Sequence, residues 1–133
     1  MTERIGVLRV EMPDIPGALV DLLSKAASNG IDMQCLCATG EHGARGTLYV
    51  WPRDLGKARS LAMQGGIAIQ EFVGFVLEGE DRMGAGARAL VPFSQAGINI
   101  VACCAMSSKD GSFQLLAVVK PADAEKAAKA LGL

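Results

Sequence analysis

The sequence has few aromatic residues, a single histidine and no long apolar run. Of its 133 residues, 50% are hydrophobic but only 5% are aromatic, so a core would be built from aliphatic side chains and alanine. No apolar run approaches the ~18 residues that suggest a membrane-spanning helix. The opening MTERIGVLRVEM also lacks the apolar core of a secretion signal. We therefore expect a soluble, cytoplasmic protein without a membrane partner.

The charges are balanced and dispersed. Lys and Arg total 13 against 14 Asp and Glu, for a formal net charge of -1. Proteins that bind nucleic acid usually carry a basic stripe or patch, and no cluster of Lys or Arg forms one in this sequence. We expect no nucleic-acid partner.

Metal chemistry has little support in the sequence. The four cysteines are spaced C-x-C (Cys35, Cys37) and C-C (Cys103, Cys104), unlike the paired C-x-x-C of zinc ribbons. His42, the only histidine, lies in the Gly-rich turn GEHGARG. The thiols are more simply interpreted as small, reduced residues of strands, because free cysteine packs as a hydrophobe. We expect no metal site.

The chain repeats itself with an offset of 67 residues. DIPGALVDLLSKAASNGIDM aligns with DRMGAGARALVPFSQAGINI, so that Gly17 matches Gly84 and Cys37 matches Cys104. A sustained internal repeat predicts two structural units of one fold. We place the repeats at 1–70 and 71–133.

Each repeat has the pattern of a small α+β unit. In the first, IGVLRVEM alternates as a half-buried strand, and LVDLLSKAA has the apolar spacing of a helix. The strands IDMQCLCAT and TLYVW, the helix DLGKARSLAMQ and the strand IAIQEF complete the order β-α-β-β-α-β. This order is the ferredoxin-like pattern, an antiparallel sheet with helices on one face. The second repeat stops before its last strand, so either three strands suffice there or another strand fills the edge.

The strand pattern predicts that both faces of the sheet are apolar. Leu48 and Val50 should face the helices, which turns Tyr49 and Trp51 to the other face. An apolar face without helices must be covered, or it invites association. We expect the sheets to pack on each other or on a second chain, as in a homodimer. The corresponding apolar residues of the second repeat are Val76, Leu116 and Val118.

The first strand-helix turn carries the motif D-x-P-G-x-L, followed after the helix by G-I-D-M; the second repeat has G-I-N-I there. Together with the element order, these residues resemble the ACT domain, and the whole chain is similar to small tandem ACT proteins. The second copy departs from the pattern, with Met83 where proline is usual and Gly86 where leucine is usual. The resemblance implies a regulatory protein that binds amino acids, usually between paired domains, and performs no chemistry. It also implies a possible target enzyme as partner.

The turns are chemically suited to a small zwitterion. The first amides of a helix lack intrahelical acceptors, and the helix end attracts a carboxylate. A glycine at Gly17 or Gly84 removes the side chain that would block approach, and nearby Asp or Asn could hold an ammonium group. Alternatively, Asp14 and Asp81 simply cap their helices, and Asp32 and Asn99 only stabilise turns. The candidate ligand-binding residues are Asp14, Ile15, Pro16, Gly17, Ala18, Leu19, Asp32, Asp81, Arg82, Met83, Gly84, Ala85 and Asn99.

Other functions fit the sequence less well. MGAGARA has the spacing of a dinucleotide-binding loop, but its partner PGALVDL lacks these glycines and Asn99 stands where an acidic residue is needed. We expect no cofactor. Pro92 should kink its helix or make it restart. A pure assembly module is the main alternative function, and an enzyme using reactive thiols is a weaker one. Of the two turns, the first keeps Pro-Gly-x-Leu and is favoured as the binding turn.

Overall fold

The computed structural model describes residues 2–40 and 45–133, and the turn with His42 lies outside them. The described chain forms six antiparallel strands and four α-helices, which confirms the predicted α+β class and its ferredoxin-like pattern. It divides into two compact units. One comprises residues 6–71, and the other comprises residues 1–5 together with 72–133. No helix in the described ranges has the length and apolar character required to span a membrane.

The first unit contains two helices and four neighbouring strands. Its elements are β1 (Thr2–Pro13, from Gly6 onward in this unit), α1 (Ala18–Ser28), β2 (Met33–Thr39), β3 (Arg45–Pro52), α2 (Leu55–Gln64) and the start of β4 (Ile69–Glu80). The strands lie in the order β2-β3-β1-β4, so β2 is an edge strand of the unit.

The core of the first unit lies between its helices and one face of its sheet. Leu48 and Val50 are 1% and 4% exposed and pack in one cluster with Ala26 of α1 and Ala58 of α2. Their predicted orientation toward the helices is therefore confirmed. Tyr49, between them on the strand, points to the other face because successive side chains alternate.

The second unit has the same arrangement of neighbours. Its elements are β4 from Phe72 onward, α3 (Ala85–Gln95), β5 (Ala102–Ser107), β6 (Ser112–Val119), a single 3₁₀ turn (Pro121–Asp123), α4 (Ala124–Ala130) and the first residues of β1. The strands lie in the order β1-β4-β6-β5. The start of β1 thus stands where the second repeat lacks a strand of its own, which resolves the alternative left open by the sequence.

The core of the second unit is built around two phenylalanines. Phe75 on β4 and Phe93 on α3 are both 0% exposed, and their rings meet edge to face with centroids 6.1 Å apart. Leu115 of β6 belongs to the same helix-facing cluster. Leu116 and Val118, which alternate to the opposite face, are only 5% and 1% exposed.

The sequence predicts that Pro92 kinks its helix or makes it restart. The restart is wrong, because α3 runs unbroken from Ala85 to Gln95. The proline removes its own amide from the helix ladder. Phe93, the next residue, is fully buried in the core cluster, and this packing holds the turn in the helical conformation. Asp54 opens α2 as the sequence predicts, since its carboxylate accepts the amide of Lys57 at 3.0 Å.

Two strands begin later than the sequence suggests. The apolar pattern places strand starts at Ile31 and Ile98, but β2 begins at Met33 and β5 at Ala102. The amide of Ile31 donates to the carbonyl of Ala26 at 3.0 Å and so closes the end of α1. Ile98 closes α3 in the same way. Both isoleucines are core residues that belong to helix ends.

Candidate functional site

Both strand-helix turns end in a glycine with left-handed backbone geometry. Gly17, before α1, has φ 88°, and Gly84, before α3, has φ 82°. These glycines are the N-cap residues, and no side chain of the described residues caps either helix. The alternative that Asp14 and Asp81 cap these helices is therefore wrong. The amides of Ala18 and Ala85 donate within their turns, to the carbonyls of Ile15 at 3.2 Å and Arg82 at 3.0 Å. The amides that follow them in each first turn are the ones that a ligand at the helix end could use.

The first turn is apolar and acidic. Ile15 is 63% exposed, whereas Leu19 is half-buried and packs against the core of its unit. The carboxylate of Asp14 lies against Gly40. Asp21, in the first turn of α1, adds a second negative charge. An anionic ligand would meet like charges here.

The second turn carries basic side chains. Arg82 forms an ion pair with Glu80. Arg88, one turn into α3, donates Nη1 to the carbonyl of Met83 at 3.1 Å. The amide of Asp81 is held by the carbonyl of Gly111 at 2.9 Å, so the backbone of this turn is anchored.

An open cleft adjoins the second turn. Its volume is ≈ 460 Å³, within the usual range of small-molecule sites. The end of β4, the first turn of α3 and Phe113 of β6 form its walls. Gly79 leaves space there, because a Cβ at this position would meet nothing within 4 Å. The lining residues are Thr2, Leu77, Glu78, Gly79, Glu80, Arg82, Ala85, Arg88, Ala89 and Phe113.

Only Arg82 and Ala85 among the sequence candidates line this cleft. Sequence reasoning stopped at the turn and missed Arg88 and Ala89. Helical spacing could have found them, because residues three and four positions after Ala85 share its face. Phe113 comes from a distant strand, and only its pairing with Gly79 places it in the wall.

The structure does not bring the residues after the helices to these turns. Asp32 forms an ion pair with Arg53, whose Nε lies 2.7 Å from Oδ2 of the carboxylate. Arg53 follows one end of β3, whereas Pro13 pairs with Arg45 at the other end. Asn99 likewise comes after the C-terminal end of α3, whereas Gly84 precedes its N-terminal end. The length of α1 therefore separates Asp32 from the candidates of the first turn, and the length of α3 separates Asn99 from those of the second turn.

The cysteines are not gathered into a metal-binding cluster. Cys35 and Cys37 on β2 and Cys104 on β5 are half-buried, and Cys103 is exposed. Within residues 2–40 and 45–133 no three His, Cys, Asp or Glu side chains are grouped as metal ligands.

Comparisons with known proteins support the fold only. No family model and no curated protein sequence matches the chain. A solved protein from Bacteroides thetaiotaomicron aligns over 98% of this chain and 90% of its own, with a TM-score of 0.77 and 16% identity. The ligand-free regulatory subunit of aspartate kinase from Thermus thermophilus aligns over 99% and 93%, with a TM-score of 0.68 and 13% identity. The corresponding subunit from Thermus flavus aligns over 99% and 94%, with a TM-score of 0.63 and 14% identity. The chain therefore has the fold of these regulatory subunits, which is the ACT-domain fold.

Proposed function

We propose that the chain is a regulatory protein of two ACT repeats, 1–70 and 71–133, that binds a small molecule, most simply an amino acid. Two solved proteins of this fold are named as regulatory subunits of aspartate kinase, and they match nearly the full length of the chain. That likeness supports a regulatory role through the fold.

The cleft beside α3 is the observation that carries this proposal. It is large enough for an amino acid and adjoins a helix start without a side-chain cap. Arg88 and the helix end favour a carboxylate, and apolar residues of the same cleft suit a hydrocarbon side chain. We propose a non-catalytic role.

Isothermal titration of the folded protein against each of the twenty amino acids tests this function. We expect saturable binding of one or a few of them, because a specific site discriminates by side chain. Uniformly flat titrations, with circular dichroism showing folded protein, would exclude amino-acid sensing as the function.

A partner enzyme is proposed as well. It would be sought by capture with the ligand present and absent, since a regulatory subunit should change its binding when its ligand binds.

An assembly module is the second candidate, and the edge strands favour it. β2 (MQCLCAT) and β5 (ACCAMS) carry no charged residue, although edge strands usually use charge or proline to prevent pairing. We propose that the chain forms a homodimer or higher oligomer through such an edge. Light scattering should then show a dimer that Ala105→Lys converts to a monomer. A monomeric native chain at micromolar concentration would exclude this candidate.

A further inference from the structure

We infer that the binding site lies in the second unit alone, and that its ligand is a small carboxylate with an apolar tail. This inference rests on the proposed function and names the site and the ligand chemistry that the function requires. The cleft beside α3 differs from the matching region of the first unit in the charge and the size of the residues at matching positions.

The cleft of the second unit carries two carboxylates, Glu78 and Glu80, and two guanidinium groups, and the guanidinium group of Arg88 lies at the helix start. Arg88 uses one guanidinium N–H for the carbonyl of Met83, at 3.1 Å. The others are available for a carboxylate, which arginine binds through paired, charge-assisted hydrogen bonds. Arg82, at the rim, is already neutralised by Glu80. Arg88 is therefore the residue that we assign to the carboxylate.

The space for the tail comes from a glycine in a strand. Gly79 pairs with Phe113 on β6, and a Cβ at Gly79 would project into open space. Leu77 and Ala89 add apolar surface to the same cleft. A branched or linear hydrocarbon of a few carbons would bury its surface here, which stabilises binding in proportion to the apolar area removed from water.

The first unit reverses these features at matching positions. In the second unit the glycine, Gly79, is on β4 and the large residue, Phe113, is on its partner strand. In the first unit the large residue, Met12, is on β1 and pairs with Gly46 on β3. The Met12 methyl lies 3.4 Å from the position that a Cβ of Gly46 would occupy. At the offset of 67 residues, Asp21 replaces Arg88 and Leu22 replaces Ala89. The first unit thus opposes the carboxylate and has bulkier side chains where the second unit is open.

Titrations with L-leucine, 4-methylpentanoate and isopentylamine test the inference, because the last two lack the ammonium and the carboxylate respectively. We expect the carboxylate compounds to bind and the amine not to bind. Arg88→Gln should weaken binding by about tenfold to a hundredfold, as expected for losing a hydrogen bond to a charged group. Gly79→Val should abolish binding, and Asp21→Asn, the matched change in the first unit, should leave it unchanged.

The outcomes separate the inference from the function. Leucine binding that survives unchanged in both Arg88→Gln and Gly79→Val overturns the inference and leaves amino-acid sensing intact. Binding of 4-methylpentanoate but of no amino acid, lost in Gly79→Val, supports the inference and overturns the amino-acid function. Binding of none of the three compounds overturns the inference, whereas amino-acid sensing falls only if the titrations with all twenty amino acids are also flat. Thermal melting of each variant shows whether it is folded. If Gly79→Val does not fold, Arg88→Gln still tests the inference, because Arg88 is exposed.

Discussion

Gly17 and Gly84 have the same backbone conformation in different surroundings. A Cβ at Gly17 would meet nothing within 4 Å, whereas one at Gly84 would lie 3.0 Å from Nη1 of Arg88. The backbone strain of alanine at these angles is the same for both, but only the second must also displace a neighbouring side chain.

Alanine substitutions at three glycines measure this difference. Gly17→Ala should lower the free energy of unfolding by about 1–2 kcal/mol, from left-handed strain alone, and Gly84→Ala should lower it further. Gly86→Ala is the control, since Gly86 is inside α3 and its Cβ would make an ordinary 3.9 Å contact with Phe113. It should raise stability by about 0.5–1 kcal/mol. Equal destabilisation by all three in urea unfolding would contradict this reading.

One carboxylate gives the first unit a defined response to acid. Arg59 donates Nε and Nη2 to the two oxygens of Glu71, at 3.1 and 2.5 Å. These hydrogen bonds hold the pKa of Glu71 below its ordinary value of 4.5. A lowered folded-state pKa means that the unfolded state takes up protons first as pH falls.

The contribution of Glu71 is therefore complete above pH 4.5 and is lost as pH falls through its folded pKa. Glu71→Gln should have a flatter dependence of the urea midpoint on pH between neutral and acid conditions. Because both side chains are partly exposed, the effect should also shrink in high salt. A variant whose pH profile matches that of the wild type would show that the pair contributes nothing to stability.

At the scale of elements, α3 shows how packing overrides local preference. Its interior proline leaves the carbonyl four residues earlier, that of Arg88, without its helical amide partner. The helix nevertheless continues to Gln95, and the fully buried Phe93 explains why. The same helix presents Arg88 to the cleft, so its geometry also matters for the site.

Pro92→Ala should stabilise the protein, because an interior proline costs about 3 kcal/mol when nothing compensates. The gain will be smaller than that, since proline also restricts the unfolded chain. Thermal unfolding measures the change, with Pro121→Ala, at the start of a 3₁₀ turn, as a control expected to give no gain. An unchanged or lower melting temperature for Pro92→Ala would mean that the proline supplies packing that outweighs its missing amide.

At the scale of the whole molecule, the first residues of the chain belong to the unit formed by its second half. Ile5 is 9% exposed, Arg4 pairs with Glu125 of α4 at 2.9 Å, and Thr2 lines the cleft. A segment distant in sequence therefore completes the sheet of the second unit and part of its candidate site.

Deletion of residues 1–5 should destabilise the second unit. Hydrogen exchange should accelerate in β4, β6 and α3, because the neighbouring strand and its buried isoleucine are gone. Arg4→Ala, which removes only an exposed ion pair, should cost no more than about 1 kcal/mol. Unchanged protection across residues 72–133 in the truncated chain would show that three strands suffice.

Much of the fold follows from local patterns. The alternation of Leu48 and Val50 and the apolar spacing of LVDLLSKAA are short-range features, and features of this kind identified the class and the order of elements. The predicted starts of β2 and β5 were wrong because an apolar residue after a helix can belong either to the next strand or to the end of the helix. Periodicity cannot separate these two cases.

The sequence by itself determined the α+β class, the two similar halves and the two glycine turns, because these depend on residue spacing along one stretch of chain. Only the tertiary structure decided that residues 2–5 join the second unit, and that Gly79 and Phe113 face each other across a strand pair beside Arg88. Pairing between strands is a long-range choice, and the space beside a turn depends on which side chains that pairing brings there.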